Sequence, residues 1–282
     1  MKNMKYIILS AVVVLIVLAV YITENPEGKT SKQVLRIGVE CDYAPNNWEE
    51  KEPTDFNVPL SNFSGLYAEG YDIQMAKLVA DKLNFNLEVK KIAWENLIPA
   101  LQNGEIDAIF SGMLDTDQRK ELVAFTEPYE VHKTEYVVVV NKNSPYADAE
   151  RLTDFHGAKF TGQKDTNLYA SISQLPGAIA EPAVDTVPEM LDKVISGKVD
   201  GIVINLDTGR SYEAAHSVLK VIKFPEDEGF VIGFTGICAA LRKNDTELLG
   251  RINRILDDLK RSERQKIMDD TVARLIHGMS NM

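Results

Sequence analysis

Leu97-Ile-Pro-Ala-Leu-Gln-Asn-Gly-Glu-Ile-Asp-Ala-Ile-Phe110 and Met190-Leu-Asp-Lys-Val-Ile-Ser-Gly-Lys-Val-Asp-Gly-Ile-Val203 follow one grammar. In each, an amphipathic helical stretch runs into a glycine, Gly104 or Gly197, the residue that most readily takes the left-handed conformation closing a helix. A charged residue, a β-branched residue and an aspartate (Asp107, Asp200) follow, and then a short apolar strand. Two similar α/β lobes explain this echo more simply than one continuous sheet. Chance recurrence of a common helix–glycine–strand turn is the competing explanation.

Working outward, strand-like and helix-like segments alternate. Val34–Glu40 reads as a strand, and Tyr71–Leu83 as a helix with apolar residues at Ile73, Met75, Ala76, Val79, Ala80 and Leu83. Leu87–Ile92 is a strand, Leu97–Gln102 a helix and Ile106–Phe110 a strand; such alternation predicts βαβ units and a mainly parallel sheet. A second group runs from Tyr136–Val140 through Lys159–Thr161 to Val199–Asn205. Phe234–Leu241 is a further strand, and two helices fill the tail from Asp245. A chain that leaves one lobe, builds another and returns makes two crossings, hence a hinge and a cleft. The expected division is lobe 1 at 34–130 and 233–282, with lobe 2 at 131–232.

Composition narrows the function. The hydrophobic fraction of 45% and charged fraction of 26% are ordinary for a globular chain. A formal net charge of −11 opposes a nucleic-acid partner, because phosphates would be repelled. At the start, Lys2 and Lys5 precede an unbroken apolar run from Tyr6 to Ile22, followed by polar residues through Gln33. That order marks residues 1–33 as an export signal and linker. No small-x-small cleavage site stands out, so an uncleaved membrane anchor is the alternative; either places the chain outside the cytoplasm. Cys41 and Cys238 are compatible with a disulfide there and equally with two small buried residues. His132, His156, His216 and His277 are scattered without ligand spacing, so neither a metal nor a cofactor is expected.

Several short motifs remain: Leu35-Arg-Ile-Gly, Tyr43-Ala-Pro, Gly70-Tyr-Asp-Ile-Gln, Trp94-Glu-Asn-Leu-Ile-Pro-Ala-Leu, Ser111-Gly-Met-Leu-Asp-Thr-Asp-Gln-Arg, Phe125-Thr-Glu-Pro-Tyr and Gly162-Gln-Lys-Asp-Thr-Asn. Each is weak alone. In this order and spacing they resemble the family 3 extracellular solute-binding proteins, which deliver polar amino acids to ABC transporters. The resemblance covers essentially everything after residue 33. It implies a two-lobed, periplasmic-binding-protein-like α/β fold (type II) with two hinge strands, a monomer, and an ABC permease with its ATPase as partners.

The resemblance also assigns a ligand site. Arg119 becomes the clamp on the ligand carboxylate, where a guanidinium gives two charge-assisted hydrogen bonds, helped by the backbone at Ser111, Gly112 and Met113. Tyr43 and Trp94 become the aromatic pair around the ligand side chain, and aromatic faces attract cations. Glu40 accepts from the side-chain head. Thr166 and Asn167 form the helix N-terminus that caps the carboxylate. Asp42 and Trp48 are candidates for the rim.

Three positions depart from the pattern. Asp165 stands where a glycine is usual, and is expected to point away, as the N-cap of the following helix. Leu114 stands where a hydroxyl residue holds the ligand amino group, and Asn205 replaces the acidic residue completing that grip. Asp207, Glu40 or water then substitutes, or the ligand lacks a free α-amino group. The reading is a non-enzymatic binder of a polar, cationic amino acid or close derivative. The alternatives are a dehydratase-type enzyme on the same scaffold, with Glu40 or Asp42 as its acid, and a membrane-held ligand sensor.

Overall fold

Val34-Leu-Arg-Ile-Gly-Val39 forms strand β1, with Leu35, Ile37 and Val39 buried among flanking strands. The computed structural model describes residues 32–130, 134–225, 227–233 and 236–280, with 279 and 280 by backbone alone. The leader through Ile22, the linker as far as Ser31, and His132 lie outside the described residues. No helix among the described residues is long and apolar enough to cross a membrane.

The first sheet is built around β1. It pairs in parallel with β6 (Asn86–Lys91) and β7 (Ala108–Ile109), and β14 (Ala240–Leu241) and β8 (Ala124–Phe125) extend it antiparallel, in the order β6-β1-β7-β14-β8. The helix α1 (Tyr71–Leu83) packs against β6 and buries Ile73, Met75, Val79 and Leu83, the apolar set that its spacing predicted. It stops at Asn84, whose φ of 59° is left-handed and whose N–H turns back to the Ala80 and Asp81 carbonyls.

The second sheet runs β11-β10-β12-β9-β13, with β9 (Tyr136–Asn141), β10 (Lys159–Thr161), β11 (Ile179–Ala180), β12 (Gly201–Asn205) and β13 (Leu219–Ile222). Here too the centre is parallel: β10 pairs in parallel with β11 and β12, while β9 lies antiparallel to β12. The four valines of β9 are fully buried, as suits β-branched residues in a covered strand. A small antiparallel sheet, β2-β3-β5-β4, sits beside the first and comprises Asp42–Tyr43, Asn47–Glu50, Tyr67–Glu69 and Val58–Pro59.

The chain therefore passes between the two main sheets twice, once after Phe125 and before Tyr136, and again after Ile222 and before Ala240. This is the two-lobed α/β arrangement that the repeated segment implied. The echo has a structural basis. Asp107 and Arg36 exchange backbone hydrogen bonds across β7 and β1, Asp107 N–H to Arg36 O at 2.7 Å and Arg36 N–H to the Asp107 carboxylate at 3.1 Å. Asp200 and Lys159 do the same across β12 and β10, at 2.8 and 2.7 Å. Gly104 (φ 76°) and Gly197 (φ 69°) both take the left-handed turn before those aspartates.

Two expected strands are shorter than their apolar runs. Ile106–Phe110 contributes only Ala108–Ile109, because Asp107 is spent on the turn to β1. Of the run Phe234–Leu241, Phe234 and Thr235 lie outside the described residues; among the others Ala240–Leu241 is strand, preceded by a bridge from Ile237 to Leu114. The tail forms two helices as expected, here Thr246–Asp258 and Arg261–Ser280. Cys41 and Cys238 are buried free thiols, and burial raises the pKa of both.

Candidate functional site

Parallel α/β sheets present their loops at the carboxyl ends of the strands. Glu40 follows β1, Ser111 follows β7, Gln163 follows β10, and Asn205 ends β12. These ends meet around one small cavity of about 30 Å³, lined by Glu40, Tyr43, Trp94, Ser111, Gly112 and Arg119 from the first lobe. Gln163, Thr166, Asn167, Leu168 and Asn205 face them from the second, and Leu114 completes the wall. Nine of the ten residues expected from the sequence thus converge. Met113 does not, because its side chain is buried in the cluster with Leu97 and Leu101, and its carbonyl accepts from Cys238 N–H.

Arg119 is the cation of the site. It lies on α3 (Asp117–Lys120), whose N-cap Thr116 accepts from Arg119 N–H. Its guanidinium stacks 5.0 Å from the Trp94 ring and donates to the carbonyls of Leu114 (3.1 Å) and Asp165 (3.4 Å). It makes no ion pair among the described residues; the neighbouring Asp115 pairs with Lys120 instead, at 2.8 Å. Burial pushes the guanidinium pKa down to about 10. A withdrawn cation that contacts only carbonyl dipoles and a ring face retains full capacity for an anion.

Glu40 is the acid of the site, 4% exposed, and burial pushes its pKa up to about 8, aided by the nearby Asp42. Its carboxyl accepts from Gln163 Nε2 across the cleft, and its own N–H donates to Ser111 Oγ at 3.0 Å. Gln163 also donates to Asp185 O at 3.0 Å, so it is anchored in its own lobe. Gln163 lies within the motif Gly162-Gln-Lys-Asp-Thr-Asn, but the family resemblance gives no ligand role at this position. The echo contains it: Arg36 and Lys159 occupy equivalent places beside Asp107 and Asp200, and four residues on stand Glu40 and Gln163. Aligning β1 with β10 would have found it.

Tyr43 reaches across as well, its hydroxyl accepting from Asn205 Nδ2 at 2.7 Å. The ring lies against Gly112, where a Cβ would stand 2.9 Å from two ring carbons, and Gly112 has φ 60°; only glycine suits that position. The Gly112 N–H serves the buried Asp72 carboxylate, so it holds the loop rather than offering a donor to the cavity. Asn205 is 8% exposed and its Oδ1 has no partner among the described residues. The side chain standing in the acidic position thus still presents an acceptor.

Several expectations are corrected. Thr166, not Asp165, is the N-cap of α4 (Asn167–Ala170); it accepts from Tyr169 N–H at 3.2 Å. Asp165 instead takes a left-handed φ of 57°, which accounts for a glycine preference there, and its carbonyl receives Trp94 Nε1 and Arg119. The α4 helix has four residues, too few to build much dipole, so any anion contact here relies on individual N–H groups. Asp207, considered as a substitute acid, lines a different groove. Of the two rim candidates, Asp42 lies 3.7 Å from Lys91 and Trp48 donates to Glu50; neither lines the cavity.

Known proteins resemble this chain in sequence and in fold. An L-arginine-binding protein of Pseudomonas aeruginosa is 26% identical over 265 residues, covering 90% of this chain and 92% of its own. The crystal structure of the substrate binding protein of an amino acid ABC transporter superposes with a TM-score of 0.70 at 26% identity, covering 84% of this chain and 98% of that one. An ancestral amino acid-binding protein described as a precursor of cyclohexadienyl dehydratase gives a TM-score of 0.69 at 25% identity over 84% of this chain and 94% of its own. The family of bacterial extracellular solute-binding proteins, family 3, matches residues 35–271, and the chain belongs to it.

Proposed function

We propose that this protein captures a polar, cationic amino acid or close derivative by closing its lobes over it, and delivers it to an ABC permease driven by an ATPase. The observation that carries this reading is Arg119, a partly buried cation in the cleft with no ion pair among the described residues. A ligand carboxylate supplies the missing charge. Trp94 and Tyr43 flank the ligand, Glu40 and Gln163 meet its side-chain head, and Asn205 Oδ1 accepts from its amino group. A relative in sequence is named an L-arginine-binding protein, and a relative in structure is the substrate binding protein of an amino acid ABC transporter. The cavity of about 30 Å³ holds little more than one water in this conformation, so an amino acid enters only when the lobes part. The proposed lobes are 34–130 with 233–282, and 131–232; the proposed location is outside the cytoplasm, with residues 1–33 as signal or anchor.

The experiment is a thermal-shift panel of L-amino acids, amines and amino-acid derivatives against the purified protein. A true ligand at 100 times its dissociation constant adds roughly 2.7 kcal/mol of stability. A shift with one or more cationic amino acids is the expected result; no shift across the panel contradicts the reading.

One observation favours a second reading. Glu40, with its pKa raised to about 8, is a carboxyl able to donate a proton near neutral pH, and a structural relative is a forerunner of a dehydratase. Incubating the panel with the protein and seeking product by mass spectrometry separates the two, since a binder returns every compound unchanged.

A further inference from the structure

Asn205 borders a second and much larger space. A groove of about 930 Å³ lies between α6 (Leu206–Ala215) and α8 (Arg261–Ser280), within the range of natural small-molecule sites. Both chain crossings floor it, the first through Glu130 and Thr134, the second through Ile237. The α6 helix packs on the second sheet, whereas α8 packs on α1 of the first lobe and on α6 itself. The wall from α8 has a consistent face, because Met268, Val272 and Ile276 recur at helical spacing and point one way. That wall is aliphatic.

The rest of the rim is acidic, with Asp269 standing on α8 itself beside the aliphatic stripe. Glu130, Glu135, Asp207 and Asp269 line the groove against Arg210 and Lys223. Lys223 is occupied by Glu135 at 3.2 Å, which leaves three carboxylates and one arginine among the described residues of the lining. Glu130 makes no ion pair among the described residues. It is held by neutral donors from both crossings: Thr134 Oγ1 at 2.7 Å, and the N–H groups of Thr134 and Ile237. Burial pushes its pKa up to about 7, and the charge of Asp207 acts in the same direction. A cation placed there relieves both effects at once.

We propose that this groove is a second ligand site, separate from the amino-acid cleft, for a small organic cation whose ammonium lies between Glu130 and Asp207 and whose aliphatic tail lies along Met268, Val272 and Ile276. One face supplies charge and the other supplies apolar area, so neither an inorganic cation nor a neutral hydrocarbon uses the whole site.

The test uses n-hexylammonium as probe, titrated calorimetrically into the purified protein beside n-hexanoate, which has the same tail and the opposite charge. Saturable binding of hexylammonium with a dissociation constant near or below about 1 mM is expected, with hexanoate at least about tenfold weaker. Ala273 is exposed on the groove face of α8; Ala273→Trp fills the space from a position with room for a large side chain. Glu130→Gln keeps the shape and removes the charge. Each variant is expected to weaken hexylammonium by about tenfold or more, while Arg119→Ala in the cleft leaves it unchanged. Absence of saturable binding, equal binding of hexanoate, loss on Arg119→Ala, or full retention in Ala273→Trp overturns the proposal.

Discussion

Arg119 and Glu40 sit in one cavity with opposite electrostatic problems, and burial causes both. It lowers the pKa of the guanidinium to about 10 and raises that of the carboxyl from 4.5 to about 8. The sign of the second effect is testable. A carboxyl whose folded pKa lies above its unfolded value stabilises the fold fully below pH 4.5, and that contribution fades as pH rises toward 8. Asp72 and Glu130 also have raised pKa values, each near 7, and steepen the same slope. The informative quantity is therefore a difference. Melting curves of wild type and Glu40→Gln between pH 5 and pH 8 are expected to diverge, with the wild type losing at least about 1 kcal/mol more. Parallel curves contradict the assignment. At this scale the sequence was informative wherever a motif carried the chemistry, as for Arg119, Tyr43 and Trp94. It contained Gln163 within a motif and an internal echo without marking a role for it, because an ordinary polar residue becomes a site residue only when the second sheet presents it to Glu40.

At the scale of elements, the helix–glycine–aspartate unit occurs twice, with unequal weight in its two copies. Asp107 receives the Arg36 backbone and guanidinium and the Arg242 guanidinium at 3.3 Å. Asp200 receives the Lys159 N–H at 2.7 Å. Hydrogen bonds to charged groups contribute about 1.5–3 kcal/mol each, and an orphaned partner adds cost. Asp107→Ala is thus expected to destabilise by about 3 kcal/mol and Asp200→Ala by about 1–2 kcal/mol in urea denaturation. Equal losses would show that the arginine contacts add nothing. These units were legible because glycine, aspartate and apolar periodicity are local signals. The sheet β2-β3-β5-β4 was not, because its strands are two to four residues long and show no period. Asp165 was misread for a related reason. Its left-handed backbone is imposed by the turn, and the capping function falls to Thr166 beside it.

At the scale of the molecule, the lobes meet through few polar contacts. Gln163 reaches Glu40, Asn205 reaches Tyr43, and Trp94 and Arg119 reach the Asp165 carbonyl. Each is weak enough to break in the proposed opening of the lobes. Replacing Gln163 and Asn205 together by alanine removes two of these bonds, at about 1 kcal/mol apiece. The population of open molecules should rise by about an order of magnitude, read as a larger radius of gyration in X-ray scattering. No change would mean that the hinge itself, not the cleft, holds the lobes together. The two-lobed plan was visible from the repeated segment, whereas the contacts that hold it shut were not, since each joins residues more than forty positions apart.

The central claim is that Arg119 awaits a ligand carboxylate. Isothermal titration of the strongest cationic amino acid from the panel, into wild type and Arg119→Ala, tests it most directly when its decarboxylated amine is titrated alongside. Loss of a charge-assisted pair of hydrogen bonds, about 3 kcal/mol, predicts about 100-fold weaker binding in the variant and a similar deficit for the amine on wild type. Arg119→Ala should then no longer distinguish the two compounds. Unchanged affinity in the variant, or equal binding of amine and amino acid by the wild type, would contradict the account.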